Sequence, residues 1–125
     1  MSFTFSKAML VAAALVLPTL AHAAQPYEPK ALQAAQAANK PVLIEVTAPW
    51  CPTCRKQKPI VQQIEQERPD LVILDVDFDS AKDVLRQLKV QNQSTLIVYR
   101  GAKEIGRSTG ETDPAAIRAM VAKAF

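Results

Sequence analysis

The spacing of apolar residues changes repeatedly along this chain, and each change marks an element. Residues 41–47, PVLIEVT, form an apolar and partly β-branched run broken only by Glu45, the pattern of a strand buried on both faces. From Pro52 the period becomes helical: Ile60, Val61 and Ile64 fall on one side, while Arg55, Lys56, Lys58, Gln62, Gln63 and Glu65 fall mostly on others. Pro59 stands inside that helix and is expected to kink or split it, because it lacks a backbone donor and crowds the preceding turn. LVILDVDFD, residues 71–79, returns to strand character. SAKDVLRQL, residues 80–88, then opens with Ser80 and Asp83 spaced as a capping box for another helix. STLIVYR (94–100) and KEIGRST (103–109), joined by Gly101 and Ala102, predict an antiparallel hairpin. Asp113 followed by Pro114 supplies an N-cap and first turn for a last amphipathic helix through AAIRAMVAKAF. Ahead of the first strand, AQPYEPK reads as a short extended lead, and PKALQAAQAAN as a helix with Pro29 near its start.

Strands alternating with helices, followed by a hairpin, predict an α/β fold: a mixed central sheet of about four strands with helices on both faces. The first 23 residues stand apart from this pattern. Lys7 precedes the small and aliphatic run AMLVAAALVL, which closes at Pro18 and leads to LAHA with Ala21 and Ala23 at an Ala-x-Ala site. A positive start, an apolar run too short to span a bilayer and small residues at the end describe a secretory leader. Cleavage after Ala23 is expected, leaving residues 24–125 as one domain with one core and without stable membrane insertion. The formal charge of +3 falls by one with Lys7, and the remaining basic residues are interleaved with acidic ones, which argues against a nucleic-acid partner. The only histidine, His22, is lost with the leader, which removes imidazole as a base or metal ligand.

Both cysteines lie in TAPWCPTC, residues 47–54, where the first long strand runs into a helix. Export sets them in an oxidising compartment, where disulfides persist. At a helix start, unpaired amides and the macrodipole favour negative charge, so Cys51 is expected to have a lowered pKa and to act as the nucleophile. Cys54, three residues on and deeper in the helix, can resolve a mixed disulfide. A bridge closing so small a loop restricts the unfolded chain little, so a structural staple explains little. Asp75, Asp77 and Asp79 alternate with apolar residues and read as a solvated strand edge rather than a metal site.

APWCPTC resembles the active-site loop of the thioredoxin family, and the likeness extends to Pro59 in the following helix, to LDVDFD, and to TLIVYRGAKEIGRSTG with Gly101 and Gly110. It covers the chain from Pro41 to the C-terminus. The resemblance implies a thioredoxin fold and a redox-active Cys51–Cys54 pair that needs no cofactor or metal. It places Glu45 at the family's buried carboxylate, usually Asp, which passes protons to and from the resolving cysteine. Burial is expected to raise the pKa of Glu45 into the neutral range. Trp50, Pro52, Thr53, Ser94 and Thr95 correspond to positions that shape the substrate surface. Ser94 stands where the family has a cis-proline, and a trans bond is expected there, since cis before serine costs about 3 kcal/mol. The dipeptide Pro52-Thr53 resembles that of exported reductases in cytochrome c maturation and, without a histidine between the cysteines, favours the reducing direction. A periplasmic, monomeric thiol:disulfide oxidoreductase is thus expected, acting on disulfide-containing exported proteins and recharged by a transmembrane thiol carrier. The alternative is a copper(I) carrier using the same two thiols.

Overall fold

The structure, a computed structural model, describes residues 24–125; the expected leader and its cleavage site lie outside them. Its elements are β1 (Gln25–Pro26), α1 (Pro29–Ala37), β2 (Pro41–Thr47), α2 (Pro52–Glu67), β3 (Val72–Asp77), α3 (Lys82–Leu88), β4 (Thr95–Arg100), β5 (Lys103–Thr109) and α4 (Pro114–Ala122). They form one sheet in the order β1-β3-β2-β4-β5, in which β3 runs parallel to β1 and β2, and β4 antiparallel to β2 and β5. The sheet is therefore mixed, as predicted, and has five strands where about four were expected. The addition is the two-residue β1, recruited from the extended lead by pairing with Leu74 and Asp75; the Tyr27 amide continues it by donating to the Asp75 carbonyl at 2.8 Å.

β2 lies at the centre of the sheet, and its alternating side chains feed two separate cores. Leu43 joins Leu96, Val98 and Ile73 beneath Ile60, Val61 and Ile64 of α2 and Ile117 and Val121 of α4. Val42, Ile44 and Val46 join Leu74, Val76 and Ile97 beneath Ala35 of α1 and Leu85 and Leu88 of α3. Both faces of β2 are thus covered, which is why its sequence is a continuous apolar run. Parity puts Glu45 on the Leu43 face, under α2.

Local signals account for most element ends. The Asp113 side chain accepts from the Ala115 amide and caps α4. The β4–β5 hairpin turns at Gly101, whose φ of 56° favours glycine; a Cβ there would also sit 2.6 Å from Asn39 Oδ1, which would have to move aside. Pro59 does not divide α2, which runs on to Glu67. The capping box at Ser80 does not form. α3 begins at Lys82 with Ala81 at its N-cap and no side-chain cap, and Asp83 pairs with Arg86. The reason lies in the turn before it, where the Asp79 amide donates to Asp77 Oδ1 and the Ala81 amide to the Asp77 carbonyl, so residues 77–80 are spent on reversing the chain.

Candidate active site

Residues 48–51 carry the chain from the centre of the sheet to the start of α2. The Cys51 amide donates to the Ala48 carbonyl at 3.1 Å, closing the turn. Cys51 then serves as the N-cap of α2 in extended conformation, and its Sγ accepts the Cys54 amide at 3.1 Å. The sulfur thus takes the place of the hydroxyl or carboxylate oxygen usual at an N-cap, and Pro52 begins the helix where no amide hydrogen is needed. Cys51 and Cys54 are joined in a disulfide across a Cα–Cα distance of 5.3 Å, well inside the usual span. Both are buried. Cys51 is fully covered and packs with Ala48 and Phe78, whereas Cys54, further into the helix as expected, is 7% exposed and borders a cleft. A substrate disulfide can reach Cys51 only if the surface over it yields on docking.

The cleft beside Cys54 is lined by Glu45, Lys58, Glu65 and Asp75. Glu45 is 9% exposed and stands opposite Asp75 in the β2–β3 ladder. Burial, then the nearby charges of Asp75 and Glu65, push its pKa up to about 7, against a smaller opposing pull from Lys58. A central strand cannot send this side chain to an edge, so the carboxyl is held where it can exchange a proton with Cys54 across the cleft near neutral pH. Asp75 and Asp77 are exposed on β3 and occupied locally, Asp75 by the Thr47 hydroxyl at 2.7 Å and Asp77 by the Asp79 amide.

Trp50 is 54% exposed, so it is not a core residue. Its indole Nε1 donates to the Asp79 carboxylate at 3.0 and 3.2 Å, and its ring meets Phe78 edge-on. The ring is thereby fixed as an apolar ledge beside the disulfide. Pro52 is exposed and Thr53 half-buried on the same first turn.

Ser94 is buried, and its bond to Gln93 is trans, as expected, but its φ is 57°. That left-handed conformation costs a non-glycine residue about 1–2 kcal/mol and persists only where surroundings enforce it. The Ser94 amide donates to the Val46 carbonyl at 2.7 Å, and the Ser94 carbonyl accepts from the Gly110 amide at 3.0 Å and from Gln57 Nε2 at 3.1 Å. Both backbone polar groups of Ser94 are therefore taken up by the protein. Thr95 is also turned inward, its hydroxyl bonded to the Asn92 carbonyl at 2.8 Å and to Thr109 at 3.0 Å, and so braces this loop.

Gln57 is the residue that sequence reasoning missed. It is 2% exposed, and its Nε2 also donates to the Glu111 carbonyl at 2.9 Å. Its position was the available signal, because 57, 60, 61 and 64 follow the i, i+3, i+4, i+7 spacing of a buried helix face, and a glutamine on that face needs partners for its amide.

A family model described as thioredoxin matches residues 20–123. Thioredoxin-2 of Saccharomyces cerevisiae is 32% identical over 84 residues, covering 67% of this chain and 80% of the relative. Thioredoxin of Chlamydia trachomatis is 34% identical over 82 residues, covering 66% and 80%. Among solved structures, Trxlp from Edwardsiella tarda superposes with a TM-score of 0.75 at 40% identity, over 79% of this chain and 98% of that one.

Proposed function

Because this chain belongs to the thioredoxin family and is a thiol–disulfide oxidoreductase, we propose that it works after export, as a periplasmic reductant of protein disulfides. The observation that carries the reading is the Cys54 amide aimed at Cys51 Sγ at the start of α2, next to a carboxyl whose pKa is about 7. In the reduced protein that amide and the helix start support a thiolate on Cys51. The thiolate attacks one sulfur of the substrate disulfide, and the other substrate sulfur leaves as a thiolate that takes up a proton. Cys54 gives its proton to the Glu45 carboxylate and attacks Cys51 Sγ. The mixed disulfide breaks, the second substrate thiol is released, and the Cys51–Cys54 disulfide forms. Two electrons pass from the dithiol to the substrate.

Export is supported by the leader pattern of residues 1–23, and the reducing direction by Pro52-Thr53 between the cysteines. A reductant in an oxidising compartment needs continual recharging, which calls for a thiol carrier in the membrane as its electron donor. Exposed Trp50 and Pro52 form the surface on which a substrate segment, including the thiol pairs handled in cytochrome c maturation, would settle. The copper reading gains nothing from the described residues. Both sulfurs are buried and bonded to each other, and Met120 packs against Gly106 and the α2–α4 core rather than the cysteines.

The test is to produce the full chain with Cys54→Ser in a bacterium that has a periplasm. The expected result is a periplasmic protein beginning at Ala24 and carrying disulfide-linked exported proteins, none of which are captured by Cys51→Ser. Retention in the cytoplasm with residues 1–23 intact would overturn the location, and equal adducts on both variants would overturn the assigned roles.

A further inference from the structure

The strained loop at Ser94 and the dithiol helix are tied at two points. The first is the Val46 carbonyl, which accepts the Ser94 amide at 2.7 Å and lies 3.9 Å from Cys54 Sγ. A carbonyl has two lone pairs, so once the disulfide is reduced the Cys54 thiol can donate to the same oxygen that holds the loop. The second tie is Gln57, three residues beyond Cys54 and so on the same side of α2. Its buried amide nitrogen reaches the carbonyls of Ser94 and Glu111, joining the loop before β4 to the segment before α4. Ser94 is neither glycine nor asparagine, and its left-handed backbone needs outside support. Gln57 supplies that support from the element that carries both sulfurs.

We propose that Gln57 is a positioning residue: by holding the carbonyls of Ser94 and Glu111, it fixes the Ser94 loop against the dithiol helix and so sets affinity for protein disulfides without altering the sulfur chemistry. The proposal rests on the chain exchanging disulfides, not on the direction in which it does so. A protein substrate must lie across the surface around the thiols, so it depends on the shape of the loop. A small disulfide needs only access to sulfur. Loss of the two hydrogen bonds should therefore appear in KM for a protein and not in the rate with a small probe.

Gln57→Met keeps the volume and removes both donors. Ser94→Gly removes the conformational strain at φ 57° and makes the tie less necessary. The wild type, both single variants and the double variant are compared, using insulin with the reduced proteins, unfolded reduced ribonuclease A with the oxidised proteins, and oxidised glutathione as the small probe. Gln57→Met is expected to raise KM for the protein probe by about tenfold, with kcat, the glutathione rate and the equilibrium constant of the cysteine pair with glutathione unchanged within about twofold. In the Ser94→Gly background the same substitution is expected to raise KM by less than about threefold. If Gln57→Met does not fold but the double variant does, that rescue also supports the tie. An unchanged KM, a parallel change in the glutathione equilibrium, an equal penalty in both backgrounds, or failure of both Gln57→Met variants to fold would overturn the proposal. A wild type that exchanges only with ribonuclease A would instead overturn the reducing direction, and the variants are then compared in the oxidising one.

Discussion

Glu45→Gln removes the charge of a nearly isosteric side chain, and its consequence for stability can be worked out from the structure. Glu45 is 9% exposed at the centre of the sheet, and its pKa rises from 4.5 to about 7, first because it is buried and then because Asp75 and Glu65 are near. The folded protein therefore holds this proton more tightly than the unfolded chain. The stability that results is fully present below pH 4.5 and is lost as pH rises through about 7. At 1.36 kcal/mol for each tenfold change in proton affinity, the gap corresponds to about 3 kcal/mol. Glutamine does not titrate, so the unfolding free energy of the variant minus that of the wild type should grow by about 3 kcal/mol between pH 4 and pH 8. The subtraction cancels the titrating groups that do not interact with Glu45 and any constant packing difference, and leaves Glu45 with its coupling to Asp75, Glu65 and Lys58. Urea unfolding of the oxidised proteins at both pH values measures it, because disulfide-bonded cysteines do not titrate. A difference that changes by less than about 1 kcal/mol would refute the claim that burial raises the pKa of this carboxyl to about 7. The same substitution should remove the inflection near pH 7 from the rate of the step in which Cys54 attacks Cys51, since the proton acceptor is then gone.

The reduction potential of the Cys51–Cys54 pair, from equilibration with glutathione buffers, should fall near thioredoxin's value of about −270 mV; a value near about −120 mV would make the protein an oxidant. Asp113→Ala should cost about 1 kcal/mol in urea unfolding, because the cap on the Ala115 amide is lost while Ile117 and Val121 stay in the core. Asp79→Ala should change the emission of Trp50, the single tryptophan, and leave stability within about 1 kcal/mol, because the indole bond is exposed; a larger loss would mean that Trp50 is part of the core.

Where side-chain chemistry acts on its immediate neighbours, the sequence was enough. Asp113 caps the helix that it precedes, Gly101 makes the turn in which it stands, and PVLIEVT is apolar throughout because helices cover both of its faces. The position of Glu45 in that run already separated it from solvent. Features that depend on distant segments were not legible. A two-residue strand has no periodicity to display, and β1 exists only because β3 offers it an edge. Ser80 and Asp83 have the spacing of a cap, but the turn fixed by Asp77 comes first and moves the helix start beyond Ser80. Thr95 finds Asn92 within its own loop, but its second partner, Thr109, meets it only when β5 pairs with β4. Gln57 was visible as a polar residue on an apolar stripe, but its partners at Ser94 and Glu111 lie 37 and 54 residues away.

The two sulfurs face opposite electrostatic demands, and this bears on the direction of electron flow. A couple becomes strongly oxidising when the protein stabilises its reduced form, above all the thiolate. Here Cys51 Sγ receives one amide hydrogen bond and the field of a helix start. The chain's only histidine, His22, falls outside the described residues, and the positions between the cysteines are Pro52 and Thr53, neither of which adds charge. On the side of Cys54, Glu45, Glu65 and Asp75 share the cleft with Arg55 and Lys58, and above pH 7 an ionised Glu45 opposes a second thiolate. Under the proposed function, support at one sulfur and repulsion at the other would stabilise the dithiol only modestly relative to the disulfide. In the proposed mechanism Glu45 takes the Cys54 proton as the new bond to Cys51 forms, so proton release would accompany release of the reduced substrate. Under the proposed function, the Glu45 carboxyl behind the resolving cysteine and a single amide at the attacking one would suit a donor of electrons.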